Sequence, residues 1–234
     1  MTRVKTSVRT DHATIKEPFD IDEVFRRLRD AVAGLPRAAM FDLRDCGFGT
    51  PFEQLVGSLI SARTRDETTT AVCLRLFERA RTPEQMIDLG EAALARLLSG
   101  ATFPEPKARD LVTLARQIVE ENAGVVPDTM EGLLRFRGVG PKIAALTLAV
   151  GFGLPAIAVD VHVHRVTNRW GYVATASPEK TMAALAAKLP EKYWIEINER
   201  LVPFGKHVCT GTRPRCSTCP LLAICRQVGV TAMR

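Results

Sequence analysis

Residues 136–152, FRGVGPKIAALTLAVGF, carry two glycines, a proline and a lysine ahead of an almost wholly apolar run. Glycine permits backbone angles that are closed to other residues, and proline suits the first position of a helix because it lacks an N–H that would be unpaired there. The stretch therefore predicts a helix, a tight turn and a second helix that begins at Pro141–Lys142. The first N–H groups of that second helix have no partner inside it, so Gly138, Val139 and Gly140 form a candidate DNA phosphate site. A plain connection between two helices is the alternative.

Lys142 stands in the first turn of the second helix, where the helix dipole favours anions. That field and partial burial disfavour the charged form of the amine, which makes it a usable nucleophile near neutral pH. A solvated lysine that touches phosphate is the alternative. Asp160 follows 18 residues later, directly before VHVHRVTNRW, and fits the N-cap of a short helix ending near Trp170–Gly171. The β-branched valines of that run leave a strand as the alternative.

Helical periodicity continues on both sides of this region. In PFEQLVGSLISAR, residues 51–63, the apolar side chains recur at helical spacing, and PEPKARDLVTLARQIVEENAG, residues 104–124, is a further helical run. No stretch alternates strictly between polar and β-branched residues over six positions. The sequence therefore predicts an all-α fold.

Charge and composition indicate a globular protein with a polyanionic partner. The chain has 234 residues and a net charge of +6; from residue 175 onward, nine Lys and Arg stand against four Glu, so most of the excess lies in the last quarter. No apolar run reaches the ~18 residues of a membrane span. The N-terminal residues contain no apolar segment typical of a secretory signal. We expect residues 1–18 to be a disordered basic arm and the protein to be cytoplasmic, nucleoid-associated in a prokaryote, without membrane contact.

Four of the six cysteines cluster in HVCTGTRPRCSTCPLLAICRQ, with the spacing C-x6-C-x2-C-x5-C. In a reducing compartment, clustered cysteines bind metal more often than they form disulfides. The pattern alone leaves zinc and an iron–sulfur cluster open. Arg213 and Arg215 lie between the first two ligands, beside the stiff Pro214, and are candidates for DNA phosphate contact; a solvated loop is the alternative. The four candidate ligands are Cys209, Cys216, Cys219 and Cys225.

The motifs FRGVGPKIAAL and AVDVHVHRV, together with the cysteine spacing, resemble the helix–hairpin–helix signature of the endonuclease III family of DNA glycosylases. That family reads G-V-G-x-K at the hairpin and places an Asp 18 residues after the Lys, as Lys142 and Asp160 stand here. The resemblance covers about residues 45 to 226.

The resemblance implies a bifunctional enzyme of base-excision repair. Lys142 is then the nucleophile that attacks the sugar C1′ and forms a Schiff base, and Asp160 helps to deprotonate it and stabilises the cationic sugar. β-Elimination then nicks the strand. The resemblance also favours a 4Fe–4S cluster over zinc, damaged double-stranded DNA as partner, eversion of the target base from the duplex, and a monomer.

Three positions depart from the family pattern. Arg63 stands where the family has Gln, the residue that helps to fill the space left by the flipped nucleotide, and Ile143 stands where it usually has Thr. In SGATFPEPKARDL, residues 99–111, the loop before the helix is longer, and Phe103 is the candidate for the side chain that enters the duplex. A proline-stiffened surface loop is the alternative. These changes put lesion preference and catalytic strength in question.

The resemblance also implies two lobes, with Lys142 and Asp160 on the cleft between them. We expect a helical barrel domain at 42–165 and an iron–sulfur domain at 19–41 plus 166–234. Two rival functions remain. One is a monofunctional adenine-mismatch glycosylase, whose catalytic Glu would stand where this chain has Ser58. The other is a protein of this fold that binds distorted DNA with little catalysis.

Overall fold

The computed structural model describes residues 16–234, so most of the predicted N-terminal arm lies outside the described residues. Within them the chain forms eleven α-helices and no strand, and the prediction of an all-α fold is confirmed. The helices are α1 (Ile21–Val32), α2 (Ala39–Asp45), α3 (Pro51–Ser61), α4 (Asp66–Phe77), α5 (Pro83–Leu97), α6 (Pro104–Glu121), α7 (Met130–Leu134), α8 (Pro141–Leu146), α9 (Val161–Trp170), α10 (Pro178–Lys188) and α11 (Glu196–His207).

Local sequence signals set many of these boundaries. Asp20 caps α1, since its carboxylate accepts the backbone N–H groups of Asp22 and Glu23. Thr50 and Glu53 form a reciprocal capping box at the start of α3. Such caps pair backbone N–H groups that would otherwise lack a partner in the first turn, so the helices begin where the sequence supplies a cap.

α8 continues into a π-helical turn, Thr147–Gly151, which periodicity does not predict. A Cβ built on Gly151 would lie 2.8 Å from the Pro51 Cα, so only glycine allows this backbone to approach the start of α3 so closely. The π-turn thus fixes the hairpin helix against α3, the helix that carries Ser58 and leads to Arg63.

The buried apolar side chains form two clusters. The first core contains buried residues between Ala38 and Ala158, together with Val202 of α11. The second core combines α1 with Ile157, Val159, α9, α10, α11 and residues Leu221 and Ile224. The buried apolar side chains of α9 all pack in the second core, so Asp160 lies where the chain passes from one core to the other.

The N-terminal end of the described chain is bonded to the cysteine-rich segment. The Lys16 ammonium donates to the Leu222 carbonyl at 2.8 Å, and the Glu17 N–H donates to the Ala223 carbonyl at 2.9 Å. Across residues 16–234, no helix is both long and apolar enough to cross a membrane.

Candidate active site

The glycine turn adopts the predicted helix–turn–helix geometry, with one correction. Gly138 has φ 81°, in the left-handed region that favours glycine. Gly140 has φ −100° and ψ 178°, an extended conformation open to other residues, so of the two glycines only Gly138 uses the backbone angles that glycine alone permits. The reason is that Gly140 is the N-cap of α8, a position with β-region angles. The Val139 side chain is buried, and its backbone N–H donates to the Phe136 carbonyl at 3.1 Å, so Val139 stabilises the turn and leaves no free N–H for a phosphate.

Lys142 is the second residue of α8 and is half-buried. It lines a cleft of about 800 Å³ together with Asp160, and both residues also border a smaller recess beside α2 and α11. The lining comes from both cores: α4 and α8 belong to the first, whereas α10 and α11 belong to the second. The structure therefore brings the predicted pair to one cleft.

Asp160 caps α9 as the sequence predicts. Its Oδ1 accepts the backbone N–H of His162 at 2.8 Å and that of Val163 at 2.9 Å. Both bonds use the same oxygen, and within the described chain Oδ2 has no recorded hydrogen bond. Within residues 16–234, no ion pair joins Lys142 to Asp160. Both side chains line the cleft, and no contact between them blocks it.

Arg165 connects the helix behind Asp160 to the cysteine-rich segment. Its guanidinium donates to the Gly205 carbonyl at 2.8 Å and the Cys209 carbonyl at 3.1 Å, and lies 3.1 Å from the His162 Nδ1. Burial lowers the pKa of the His162 imidazole. These contacts hold α9 and α11 in a fixed relation beneath the cleft.

Lys206 makes a cation–carboxylate contact that sequence reasoning missed. From α11 its ammonium reaches Asp66 at 2.9 Å and Glu67 at 2.8 Å, at the start of α4. Burial alone would lower the pKa of Lys206, but the hydrogen bonds to Glu67 and Asp66 raise it. All three residues line the cleft, so the pairing joins its two walls; residues 140 positions apart gave no local signal for it.

Arg63 and Phe103, predicted as DNA contacts from separate segments, lie on loops bonded to each other. Both are exposed and have left-handed φ, 59° and 55°. The Thr102 hydroxyl donates to the Arg63 carbonyl at 2.8 Å. Phe103 is 57% exposed and directly precedes α6, so Pro104 begins a helix rather than stiffening a loop.

Lys107 supports this pair of loops and was also missed. From the first turn of α6 its ammonium donates to the Ile60 carbonyl at 2.5 Å, the Ala62 carbonyl at 2.9 Å and the Thr64 hydroxyl at 3.0 Å. Burial lowers its pKa. The amine therefore caps the carboxyl end of α3 and ties it to α6.

The four predicted metal ligands line one cavity, with Trp170, Phe204 and Val208. Burial raises the pKa of the Cys219 thiol to about 12, and the neighbouring cysteines add to that rise. Two donors point at sulfur: Arg169 to the Cys209 Sγ at 3.5 Å and the Gln227 N–H to the Cys225 Sγ at 3.4 Å. Such donors suit thiolates. In no part of residues 16–234 do three or more potential ligands lie in an arrangement that could hold a metal ion. The cavity that the four cysteines share and the donors directed at sulfur nevertheless fit a group bound by four thiolates.

Arg213 and Arg215 are exposed on the segment between Cys209 and Cys216. Arg213 has φ 48°, and its carbonyl and that of Thr212 accept the Thr210 hydroxyl. Pro214 is buried between the two arginines. The side chains of both arginines are therefore held outward by a locally ordered loop.

This combination of a glycine hairpin, a cleft lysine and a capping aspartate in an all-helical chain defines a class: residues 56–191 match the HhH-GPD superfamily of base excision DNA repair proteins. Endonuclease III of Thermotoga maritima is 42% identical over 175 residues, which cover 75% of this chain and 82% of that protein. The chain belongs to the endonuclease III family, and the predicted family is confirmed.

Solved structures agree with this assignment. A non-covalent Endonuclease III–DNA complex superimposes with a TM-score of 0.77 at 29% identity, covering 88% of this chain and 94% of that chain. A trapped Endonuclease III–DNA covalent intermediate, an estranged-adenine complex, gives a TM-score of 0.73 at 29% identity, covering 89% and 97%. The fold that surrounds Lys142 and Asp160 is therefore shared with two endonuclease III structures that contain DNA.

Proposed function

We propose that this protein releases oxidised pyrimidine bases from double-stranded DNA and then nicks the strand at the abasic site. As a member of the endonuclease III family it is a bifunctional DNA glycosylase and AP lyase. The observation that carries the assignment to particular residues is that Lys142 and Asp160 line one cleft between the two cores. An amine and a carboxylate on one cleft supply the nucleophile and the proton acceptor that an attack on a sugar carbon needs.

The proposed chemistry uses these two side chains in sequence. The Lys142 amine attacks C1′ of the everted nucleotide, and the bond to the base breaks with its electron pair leaving on the base, which takes up a proton. Asp160, through the oxygen not used in the cap, accepts a proton from the amine and stabilises positive charge on the sugar. The C1′–O4′ bond then breaks, the ring oxygen takes up a proton, and the nitrogen is left joined to C1′ as an imine. Loss of a proton from C2′ breaks the C3′–O bond and expels the 3′ phosphate, and hydrolysis of the imine frees Lys142.

The duplex would be held by backbone and side-chain groups around the cleft. At the hairpin, Gly138 and Gly140 offer backbone N–H groups to a phosphate, whereas the Val139 N–H is already bonded to the Phe136 carbonyl. Arg63 and Phe103 are placed to occupy the space of the everted nucleotide and to enter the base stack; their bonded loops support action as one unit. Arg213 and Arg215 reach phosphates from the second core.

The four clustered cysteines would hold a 4Fe–4S cluster. Family membership favours the cluster over zinc, and the cavity with its sulfur-directed donors fits four thiolates. Binding of the cluster requires the four thiols to lose their protons. Because metal binding is coupled to folding, the bound cluster would also stabilise the segment that carries the cysteines. When bound, the cluster stabilises the C-terminal segment that carries the two arginines, and we assign it no chemical step.

We also propose that the chain works as a monomer in the compartment that holds the DNA, the cytoplasm or nucleoid of a prokaryotic cell. The two lobes, 42–165 and 19–41 with 166–234, are kept as the functional division. The two separate apolar cores support it, with the difference that α9, which starts at residue 161, packs in the second core.

Borohydride trapping on a duplex with one abasic site tests this function. Wild-type protein forms a covalent adduct with the DNA, and Lys142→Ala forms none, because Lys206, the other lysine on the cleft, is held by Asp66 and Glu67. Lys180→Ala is the matched control: Lys180 is exposed on α10 beside the cleft, and its removal leaves the adduct intact. Tight binding of wild-type protein without an adduct would instead identify a protein that binds distorted DNA with little catalysis.

A further inference from the structure

Ser58 is a buried hydroxyl that the proposed chemistry does not use. It lies on α3, is 1% exposed, and its Oγ has no hydrogen-bond partner within the described chain. Helical Ser and Thr side chains commonly bond the carbonyl four residues earlier, as Thr69 and Thr147 do here. The Ser58 hydroxyl does not, although the Ser58 carbonyl accepts the Ser61 hydroxyl at 2.7 Å.

Ser58 also borders a recess next to the candidate nucleophile. This recess has a volume of about 290 Å³ and is also lined by Lys142, Gly138 and Glu179, far above the ~15 Å³ that a single water needs. Much of its wall is apolar, with Ile143, Val159 and Met182. A buried polar atom left without a partner destabilises a folded protein, so its place in a recess requires a reason.

We propose that Ser58 is a specificity-determining residue whose hydroxyl donates a hydrogen bond to an oxygen of the everted pyrimidine. This inference rests on the proposed function. The apolar walls suit the faces of a six-membered ring, and oxidised pyrimidines carry carbonyl or hydroxyl oxygens on their edges. A pocket that hydrogen-bonds a substrate oxygen strongly disfavours analogues that leave the protein group unpaired. Ser58 therefore selects among bases, whereas Lys142 acts on the sugar that all nucleotides share.

Two rates measured on Ser58→Ala test the assignment. Single-turnover release of thymine glycol from a duplex depends on the base contact, whereas cleavage of a preformed abasic duplex involves no base. We expect the ratio of the first rate to the second to fall about tenfold, the effect of one lost hydrogen bond. The melting temperature stays the same or rises, since the substitution removes an unpaired buried hydroxyl and no protein contact.

Thr167→Val is the matched control. Thr167 is fully buried in the second core, and its hydroxyl donates to the Val163 carbonyl at 2.8 Å. Its loss lowers the melting temperature and leaves the ratio of rates as in wild type. An unchanged ratio in Ser58→Ala, with active wild-type protein, overturns the Ser58 assignment alone. A wild-type protein that does not cleave the abasic duplex overturns the proposed function and this inference with it.

Discussion

Asp160 caps α9, and the proposed mechanism gives it a second role, as the sequence already suggested. One carboxylate oxygen caps α9 through two backbone N–H groups, and the other remains for the cleft that Lys142 shares. The cap holds the carboxylate in place, because rotating it into the cleft would release two helix N–H groups. A residue fixed in this way needs little reorganisation when charge develops on the sugar.

Asp160→Asn separates the two roles. Asparagine caps a helix about as well as aspartate, so the free energy of unfolding stays within about 0.5 kcal/mol of wild type. It cannot take a proton or carry the charge, and the rate of base release falls about 10²- to 10⁴-fold. Urea unfolding and single-turnover kinetics measure the two quantities.

Asp160→Ala provides the comparison, since it loses the cap as well, at a cost of about 1 kcal/mol in stability. Equal losses of stability in the Asn and Ala variants would show that the charge, and not the cap, stabilises α9. Activity retained in Asp160→Asn would remove the carboxylate from the mechanism.

Single residues were predictable where their chemistry is local. The sequence around Lys142 and Asp160 identified them as candidate site residues and predicted that Asp160 caps α9. The structure brings the pair to one cleft and shows the cap. The sequence did not predict the backbone angles of Gly140, because a glycine at an N-cap cannot be told from a glycine in a left-handed turn by sequence. The unpaired hydroxyl of Ser58 depends on packing from other helices, which no local pattern contains.

The joint between α3 and α6 shows how elements position the candidate DNA contacts. Each loop holds a residue with left-handed φ, Arg63 and Phe103, a conformation that is costly unless the surroundings impose it. Thr102 and Lys107 supply those surroundings through hydrogen bonds to both segments. The positions of Arg63 and Phe103 therefore depend on one partly buried ammonium, that of Lys107.

Lys107→Met tests this joint. Methionine keeps most of the apolar stem but removes the ammonium, which leaves the Ile60 and Ala62 carbonyls without this donor. We expect a loss of about 1–3 kcal/mol in the free energy of unfolding, typical of hydrogen bonds from a charged group. Affinity for abasic duplex falls as well, because Arg63 and Phe103 lose their fixed positions. Urea unfolding and fluorescence anisotropy give both values.

Arg109→Met, two residues further along α6 and exposed, is the control for loss of a cation and keeps the stability of wild type. Should Lys107→Met lose stability but bind abasic DNA normally, the joint would be structural and the two loops would not depend on it for DNA binding.

Helices themselves followed from periodicity and capping residues, whereas their irregular parts did not. The bounds of α1 and α9 agree with their Asp caps, and α8 begins at the predicted Pro141. The π-turn at Thr147–Gly151 depends instead on the close approach of α3. Contacts such as that of Lys107 join segments more than 40 residues apart, and spacing within a single helix cannot reveal them.

The molecule as a whole joins its two apolar cores by a few specific contacts. Val202 of α11 packs in the first core and Met182 of α10 touches both. The Asn198 amide donates to the Ala158 carbonyl at 3.1 Å. On the cleft side the joining contact is Lys206 with Asp66 and Glu67. The sequence predicted two lobes from family resemblance, but it held no information on what closes the cleft between them.

A double-mutant cycle between Lys206→Met and the paired change Asp66→Asn with Glu67→Gln measures the strength of that closure. We expect a coupling free energy of about 0.5–1 kcal/mol at pH 7 from urea unfolding, since the groups are partly exposed. The hydrogen bond from Lys206 lowers the pKa of Glu67 below its ordinary value of 4.5. The contribution of the Lys206–Glu67 ion pair to stability is therefore complete above that value and is lost as pH falls through the lowered pKa.

The exposed pair Arg135 and Glu131, within α7 and its cap, serves as control, and its removal leaves the contact between the lobes unchanged. Zero coupling at pH 7 would mean that apolar packing alone holds the cleft walls together, and a coupling that grew on acidification would contradict the ion pair.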